Sequence, residues 1–152
     1  RDETGLEVDA VAELPDGTLL GTIRVQGKLK TGEGVFCIYQ TESNDGGHTW
    51  TKPHQIVDAG SPPHVLVHSS GKLILVYGYR REPFGERAKI STDNGKTWGE
   101  ELILRDDAPS HDLGYPASVE LKDGRIFTLY YQKHDVAAMP EIMQTIWEIP
   151  TR

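Results

Sequence analysis

Arginines and a tyrosine stand where apolar, β-prone runs begin or end. Arg24 closes the run Leu19-Leu20-Gly21-Thr22-Ile23-Arg24, and Arg80 and Arg81 close Tyr77-Gly78-Tyr79-Arg80-Arg81. Arg87 opens a later run after Gly85-Glu86, and Tyr115 lies in Asp112-Leu113-Gly114-Tyr115-Pro116-Ala117. A guanidinium is planar and always charged, and its fork offers a carboxylate two parallel hydrogen bonds. Arginines converging from several strand ends would therefore suit an anionic ligand, whereas a solitary one is ordinarily a solvated surface charge. His64, in Ser61-Pro62-Pro63-His64, and Asp112 sit in loops just ahead of strands, where cleft-lining side chains gather. For His64 the expected role is to hold its loop. No His/Cys cluster has zinc-like spacing, and no Gly-rich phosphate loop or Ser-His-Asp order stands out, so neither metal nor cofactor is expected.

The elements that must position these groups are short strands. Hydrophobic residues make up 37% of the 152 residues and recur in small separated clusters, with 16 Gly and 9 Pro between them, a pattern of many turns rather than long helices. The formal charge of −7 argues against sequence-independent nucleic-acid binding, which relies on neutralising phosphates. It does not exclude an anionic small ligand, since a few arginines reverse the field within a cleft. Cys37 is the only cysteine, which rules out an intrachain disulfide, and no apolar run is long enough to span a membrane as a helix.

A unit of apolar run, turn and apolar strand occurs three times. Its turns hold Gly17, Gly71 and Gly124, at a spacing of about 53 residues. Asp16-Gly17 and Asp123-Gly124 are strong hairpin signals, because glycine accepts the positive φ of a tight turn. The strands that follow are predicted at Leu19–Val25, Leu73–Tyr79 and Ile126–Tyr131, each apolar enough to be buried on both faces. Further strands are predicted at Val35–Thr41, His54–Val57, Arg87–Ile90 and Glu101–Leu104. The stretch Val136–Gln144, interrupted by Pro140, reads as loop or strand edge, with a terminal strand over Thr145–Ile149. Four short strands per unit is the composition of a propeller blade.

Between the third and fourth strands of the first two units the chain repeats one pattern, Ser-x-Asp-x-Gly-x-Thr-Trp. The copies are Ser43-Asn44-Asp45-Gly46-Gly47-His48-Thr49-Trp50 and Ser91-Thr92-Asp93-Asn94-Gly95-Lys96-Thr97-Trp98. Asp45 and Asp93 are expected to accept backbone N–H bonds inside the turn, Gly47 and Gly95 to supply backbone freedom, and Trp50 and Trp98 to pack the tip against its blade. The pattern resembles the Asp box, or BNR repeat, of the sialidase (neuraminidase) superfamily, and the resemblance extends over essentially the whole chain. It implies an all-β fold, a six-bladed propeller of which this chain supplies about three four-stranded blades at roughly 6–58, 62–106 and 112–152. Three blades cannot close a ring of the usual four to eight, so the remaining blades are expected from upstream sequence. In such proteins the Asp boxes lie on the outer rim, so Asp45 and Asp93 are not expected to do chemistry.

The resemblance also implies an activity. Sialidases grip the substrate carboxylate with three arginines, attack with a tyrosine activated by a glutamate, and donate a proton from an aspartate. The last four of these in chain order, glutamate, arginine, arginine, tyrosine, have counterparts here in Glu7, Arg24, Arg80 and Tyr115, with Arg87 as the alternative third arginine and Glu3 as the alternative glutamate. A phenol suits this task, because a carboxylate nucleophile would meet repulsion from the substrate's own carboxylate. The implied partner is a sialylated glycan or another acidic sugar, cleaved with retention and outside the cell or in a periplasm. The first arginine and the acid aspartate are not in this chain, so alone it is expected to be inactive. The alternative is an Asp-box propeller that only binds a glycan or a protein, or a different glycosidase on the same scaffold.

Overall fold

A computed structural model describes residues 3–28, 31 and 34–151, with side chains from Glu7 onward. The described residues contain no helix and form eleven strands: β1 (Glu3–Glu13), β2 (Leu19–Lys28), β3 (Gly34–Ser43), β4 (His54–Val57), β5 (Gly60–Val67), β6 (Leu73–Tyr79), β7 (Gly85–Ser91), β8 (Leu102–Arg105), β9 (Gly114–Glu120), β10 (Ile126–Gln132) and β11 (Glu141–Trp147). They make three antiparallel sheets in simple meander order, β1-β2-β3-β4, β5-β6-β7-β8 and β9-β10-β11. The turns at Gly17, Gly71 and Gly124 close the first hairpin of each sheet, all three in the left-handed region. The third sheet has three strands rather than four, consistent with its lack of an Asp box.

The sheets stack face to face with β5–β8 in the middle. Leu14 and Leu20 meet Val65 and Leu73 on one side of it, with Ile38 and Val57 against Leu75 and Tyr77 beyond them. On its other side Ile74, Val76 and Ala88 meet Ile126, with Trp147 packed alongside. Strand β6 is accordingly buried from Leu73 to Gly78. The expectation of two buried faces fails for β10, which alternates: Ile126, Thr128 and Tyr130 face the core, whereas Leu129 is 39% exposed. Only one face of the third sheet has a neighbour among the described residues. The last strand also begins earlier than its sequence suggested. Pro140 stands just ahead of β11, where no ladder N–H is needed, and Ile142 to Gln144 pair with β10.

Both Asp boxes close on the same bonds. Asp45 Oδ1 accepts from Thr49 N–H at 2.9 Å and its Oδ2 from Thr49 Oγ1 at 2.6 Å; Asp93 repeats this with Thr97 at 2.9 and 2.5 Å. Ser43 and Ser91 each donate to their aspartate and accept the N–H of Gly47 or Gly95 at 2.9 Å. These hydrogen bonds, with those from the threonines leading, hold both carboxyls down at about 2.

The second box does more. Trp98 Nε1 donates to Gln40 Oε1 of the first sheet at 2.8 Å, and Gln40 Nε2 donates to Gly95 O at 2.9 Å. Trp98 thus packs against two of the clusters between the first and second sheets. Trp50 instead turns back to Gly47 O at 3.1 Å and is 43% exposed.

Candidate functional site

The boxes sit at the end of the sheets where β2 begins, since Ser43 pairs with Leu19. The chemistry-bearing side chains gather at the other end. There the first strand of every sheet carries a bulge against its neighbour: Asp9 is the extra residue in β1, Ser61 and Pro62 of β5 face the single residue Gly78 of β6, and Tyr115 and Pro116 of β9 face Tyr130 of β10. A bulge re-aims the side chain it inserts, and here it presents Asp9, the Ser61 carbonyl and Tyr115 to one region. Tyr115 adopts φ 55°, a conformation unusual for a bulky residue and costing on the order of 1–3 kcal/mol, after Gly114 at φ 110°.

Arg24 is the hub. Its Nη1 donates to Tyr115 Oη at 3.2 Å, its Nη2 makes a short ion pair with Glu7, and its Nε lies 3.5 Å from Asp9 Oδ1. Asp9 also accepts the Arg24 backbone N–H at 3.2 Å, and burial pushes its carboxyl pKa upward. The Glu7 pair leads the effects that hold the guanidinium pKa above its usual value. The guanidinium lies 5.6 Å from the Tyr115 ring centroid, within cation–π range. Tyr115 is 56% exposed, so a ligand can reach it.

Tyr131 stacks against Tyr115 with ring centroids 5.8 Å apart. Its hydroxyl donates to Asp112 Oδ1 at 2.8 Å, and Lys133 Nζ holds Asp112 Oδ2 at 2.8 Å. Burial first, then the Asp112 bond, pushes the Tyr131 phenol up to about 12.

Arg80 lies on the other flank. Its Nε donates to Ser61 O at 2.8 Å, Nη1 donates to His111 O, and the guanidinium sits 5.6 Å from the Phe36 ring centroid. Burial lowers its pKa, while Tyr131, Glu86, Tyr115 and Asp112 pull it back. Counted from Gly17 and Gly71, the repeat equivalent of Arg24 is Gly78 rather than Arg80; Arg80 reaches the same region from two residues farther along. An open groove of about 630 Å³ runs outward from it between the first two sheets, past Phe36, Phe84, Arg81 and Lys28.

Arg87 is not brought to this cluster. It is 2% exposed, donates to the carbonyls of Pro83, Glu86 and Arg105, lies 3.5 Å from Glu101, and stacks on Tyr79. One residue of strand alternation turns it to the opposite face from Glu86. Arg81 is exposed and paired with Asp58. His64 lies within β5 rather than in a loop and bonds Ser118 O of the third sheet at 3.2 Å, so it joins sheets. The side chain of Glu3 lies outside the described residues. Sequence reasoning passed over Asp9, Glu86, Tyr131 and Lys133. Glu7-x-Asp9 did carry the two-residue spacing of one strand face, but the bulge that delivers Asp9 to Arg24 leaves no periodic signal.

The BNR repeat-like domain model matches residues 9–128, well over half of the sequence. The chain belongs to that family. A protein of unknown function from Dyadobacter fermentans has a similar structure, with TM-score 0.76 and 32% identity over 99% of this chain and 40% of its own. A xylan β-1,4-xylosidase from Bacillus halodurans shares the fold at TM-score 0.65 and 13% identity, over 93% of this chain and 31% of its own. This chain thus spans well under half the length of both. The three sheets are consistent with blades of a BNR-type propeller, on a scaffold also used by a glycoside hydrolase.

Proposed function

We propose that this chain is part of a six-bladed, sialidase-type glycoside hydrolase, and that it carries the carboxylate-binding and nucleophilic half of a site that removes terminal sialic acid or a close acidic sugar. The observation that carries this reading is the contact of Arg24 Nη1 with Tyr115 Oη at 3.2 Å while Glu7 occupies the other amino group. Glu7 and Arg24 face each other across the β1–β2 hairpin, and sequence-distant β9 of the third sheet brings Tyr115 to them. Arg80 stands on the far flank as the second guanidinium.

In the proposed reaction the substrate carboxylate takes the place of Glu7 on Arg24 and engages Arg80. Glu7, released, accepts the Tyr115 proton. Tyr115 Oη forms a bond to the anomeric carbon as the glycosidic C–O bond breaks, and the leaving oxygen takes a proton from an acid on the blades this chain does not include. Water, giving a proton to the conjugate base of that same acid, then attacks the anomeric carbon of the glycosyl-tyrosine. The C–O bond to Tyr115 breaks, Glu7 returns its proton to the phenol, and the sugar leaves with retained configuration. The groove past Phe36 and Phe84 has room for the rest of the glycan.

The test is hydrolysis of a 4-methylumbelliferyl sialoside by the full-length protein, alongside covalent trapping by a fluorinated sialyl fluoride. Sialoside turnover with label on Tyr115 supports the reading. Turnover unaltered in Tyr115→Phe, or turnover of xylosides alone, removes it. The xylosidase neighbour motivates that second arm, although a neutral sugar gives Arg24 and Arg80 no carboxylate to hold.

A further inference from the structure

Glu86 has no part in the scheme above, yet it is the most unusual ionisable group near the site. It lies in β7, opposite Gly78 of β6 and Arg105 of β8. Its side chain is fully buried, and neither carboxyl oxygen has a hydrogen-bond partner. A charge buried without hydrogen bonds is costly, so such a carboxyl serves a purpose or is replaced by a better-packed residue. What it faces is Arg80. A Cβ placed on Gly114 would lie 3.6 Å from Arg80 Nη2 and 3.6 Å from Glu86 Oε1, so the absent side chain leaves the two groups looking at each other across that glycine. Tyr115 is the next residue.

Resting on the sialidase-type reading, we propose that Glu86 is a positioning residue for Arg80: a buried carboxyl that, by gaining or losing a proton, sets how much positive charge the arginine presents to an anionic ligand. Neutral Glu86 leaves the Arg80 charge for the ligand carboxylate. Ionised Glu86 compensates that charge from beneath and weakens the hold. Burial pushes the Glu86 carboxyl up to about 8 against the opposing pull of Arg80 and Arg87. Its other neighbours leave the switch to this pair. Arg105, opposite in register, spends its guanidinium on Asp107, and Arg87 is fixed to backbone carbonyls and Glu101. Tyr131, Tyr115 and Asp112 also act on Arg80. The sign follows: Glu86 is neutral below about pH 8 and ionised above it, so ligand affinity falls as pH rises through that value. By linkage an anion on Arg80 raises the proton affinity of Glu86, and binding near pH 8 takes up a proton.

The experiment measures N-acetylneuraminic acid binding to the full-length protein by calorimetry from pH 6 to pH 9.5, in buffers of different ionisation enthalpy, for wild type, Glu86→Gln and Glu86→Asp. Expected for wild type is about a tenfold weakening above pH 8, equivalent to one unit of pKa coupling, with proton uptake near pH 8. Glu86→Gln loses both the alkaline limb and the uptake, and keeps the pH 6 affinity within about threefold; Glu86→Asp restores the limb. An alkaline limb and proton uptake unchanged in Glu86→Gln overturn the role of Glu86 and leave the sialidase-type reading standing. Absence of binding at every pH overturns that reading and this role with it. Should Glu86→Gln fail to fold, the wild-type protein with ¹³C-carboxyl glutamate decides. A carboxyl titrating near pH 8 and moving upward with N-acetylneuraminic acid supports the proposal; no glutamate titrating above pH 6 overturns it.

Discussion

The two ends of the sheets are built from the same strands and solve opposite problems. At the Asp-box end almost every polar group has its partner in a turn that closes on itself: Ser91, Asp93, Gly95 and Thr97 satisfy one another, and Trp98 and Gln40 finish the junction between sheets. At the other end Arg24 Nε and both oxygens of Glu86 are buried without hydrogen bonds, a tyrosine is held at positive φ, and each inner strand is bulged. Unmet bonds and local strain persist where they serve binding or chemistry, and must be supported from elsewhere in the fold. The comparison teaches that the motif which identifies this sequence and the residues that would give it an activity occupy separate ends, each open to change without the other.

Substitutions at each end sharpen that contrast. The largest effect is expected from Tyr115→Phe and Arg24→Ala in the full-length protein, each lowering sialoside kcat/KM by at least about 10²–10³-fold. Melting temperature should be nearly unmoved in Tyr115→Phe, because Tyr115 is exposed and the ring is kept, whereas Arg24→Ala also loses stability by leaving Glu7 and Asp9 unpaired. A large loss of stability in Tyr115→Phe would break the comparison. Trp98→Ala is the mirror case: urea unfolding should show a loss of about 3 kcal/mol, with kcat unchanged for the molecules that remain folded. Gly95→Ala comes next, at about 2 kcal/mol, because φ is 80° there and an added Cβ would come within 2.5 Å of Leu20, where Gly47→Ala meets nothing nearer than 3.7 Å and should cost only about 1 kcal/mol. The smallest effect is a loss at Asp93 that is present above about pH 4 and vanishes in acid. Asp93 has a folded-state pKa of about 2 against an ordinary 3.8, so its contribution is complete above about pH 4 and is lost as pH falls through 2. In Asp93→Asn, stability measured against pH should lack that acid limb and the activity profile should keep its shape.

Much of the architecture was legible because it follows from local rules. Gly17, Gly71 and Gly124 marked the hairpins, the two boxes marked the third and fourth strands, and the limits of β4 and β6 followed directly from where apolar residues start and stop. Tyr115 stood out by its place near the start of a strand; Arg24, expected to close its strand, instead lies in mid-β2, which runs on to Lys28. The bulges could not be read, since one inserted residue leaves composition and alternation almost intact while redirecting a side chain. Glu86 and Arg87 illustrate the same limit. Adjacent charged residues on one strand look alike in sequence, yet alternation puts one beneath Arg80 and the other in a cage of carbonyls. The last strand was misplaced because Pro140 was read as interrupting a segment that it precedes.

The pair of hydrogen bonds between Gln40 and the second box makes one amide an address label for neighbouring modules. Three residues ahead of the box serine the first sheet has Gln40 and the second has Ala88, and the sheet following Ala88 carries no box to receive. Exchanging the order of these repeats would strip the Gln40 amide of both its partners in the box, leaving it only Glu42 of its own strand, and leave an indole N–H unmatched, a mispairing that discriminates against scrambled assembly among otherwise look-alike copies.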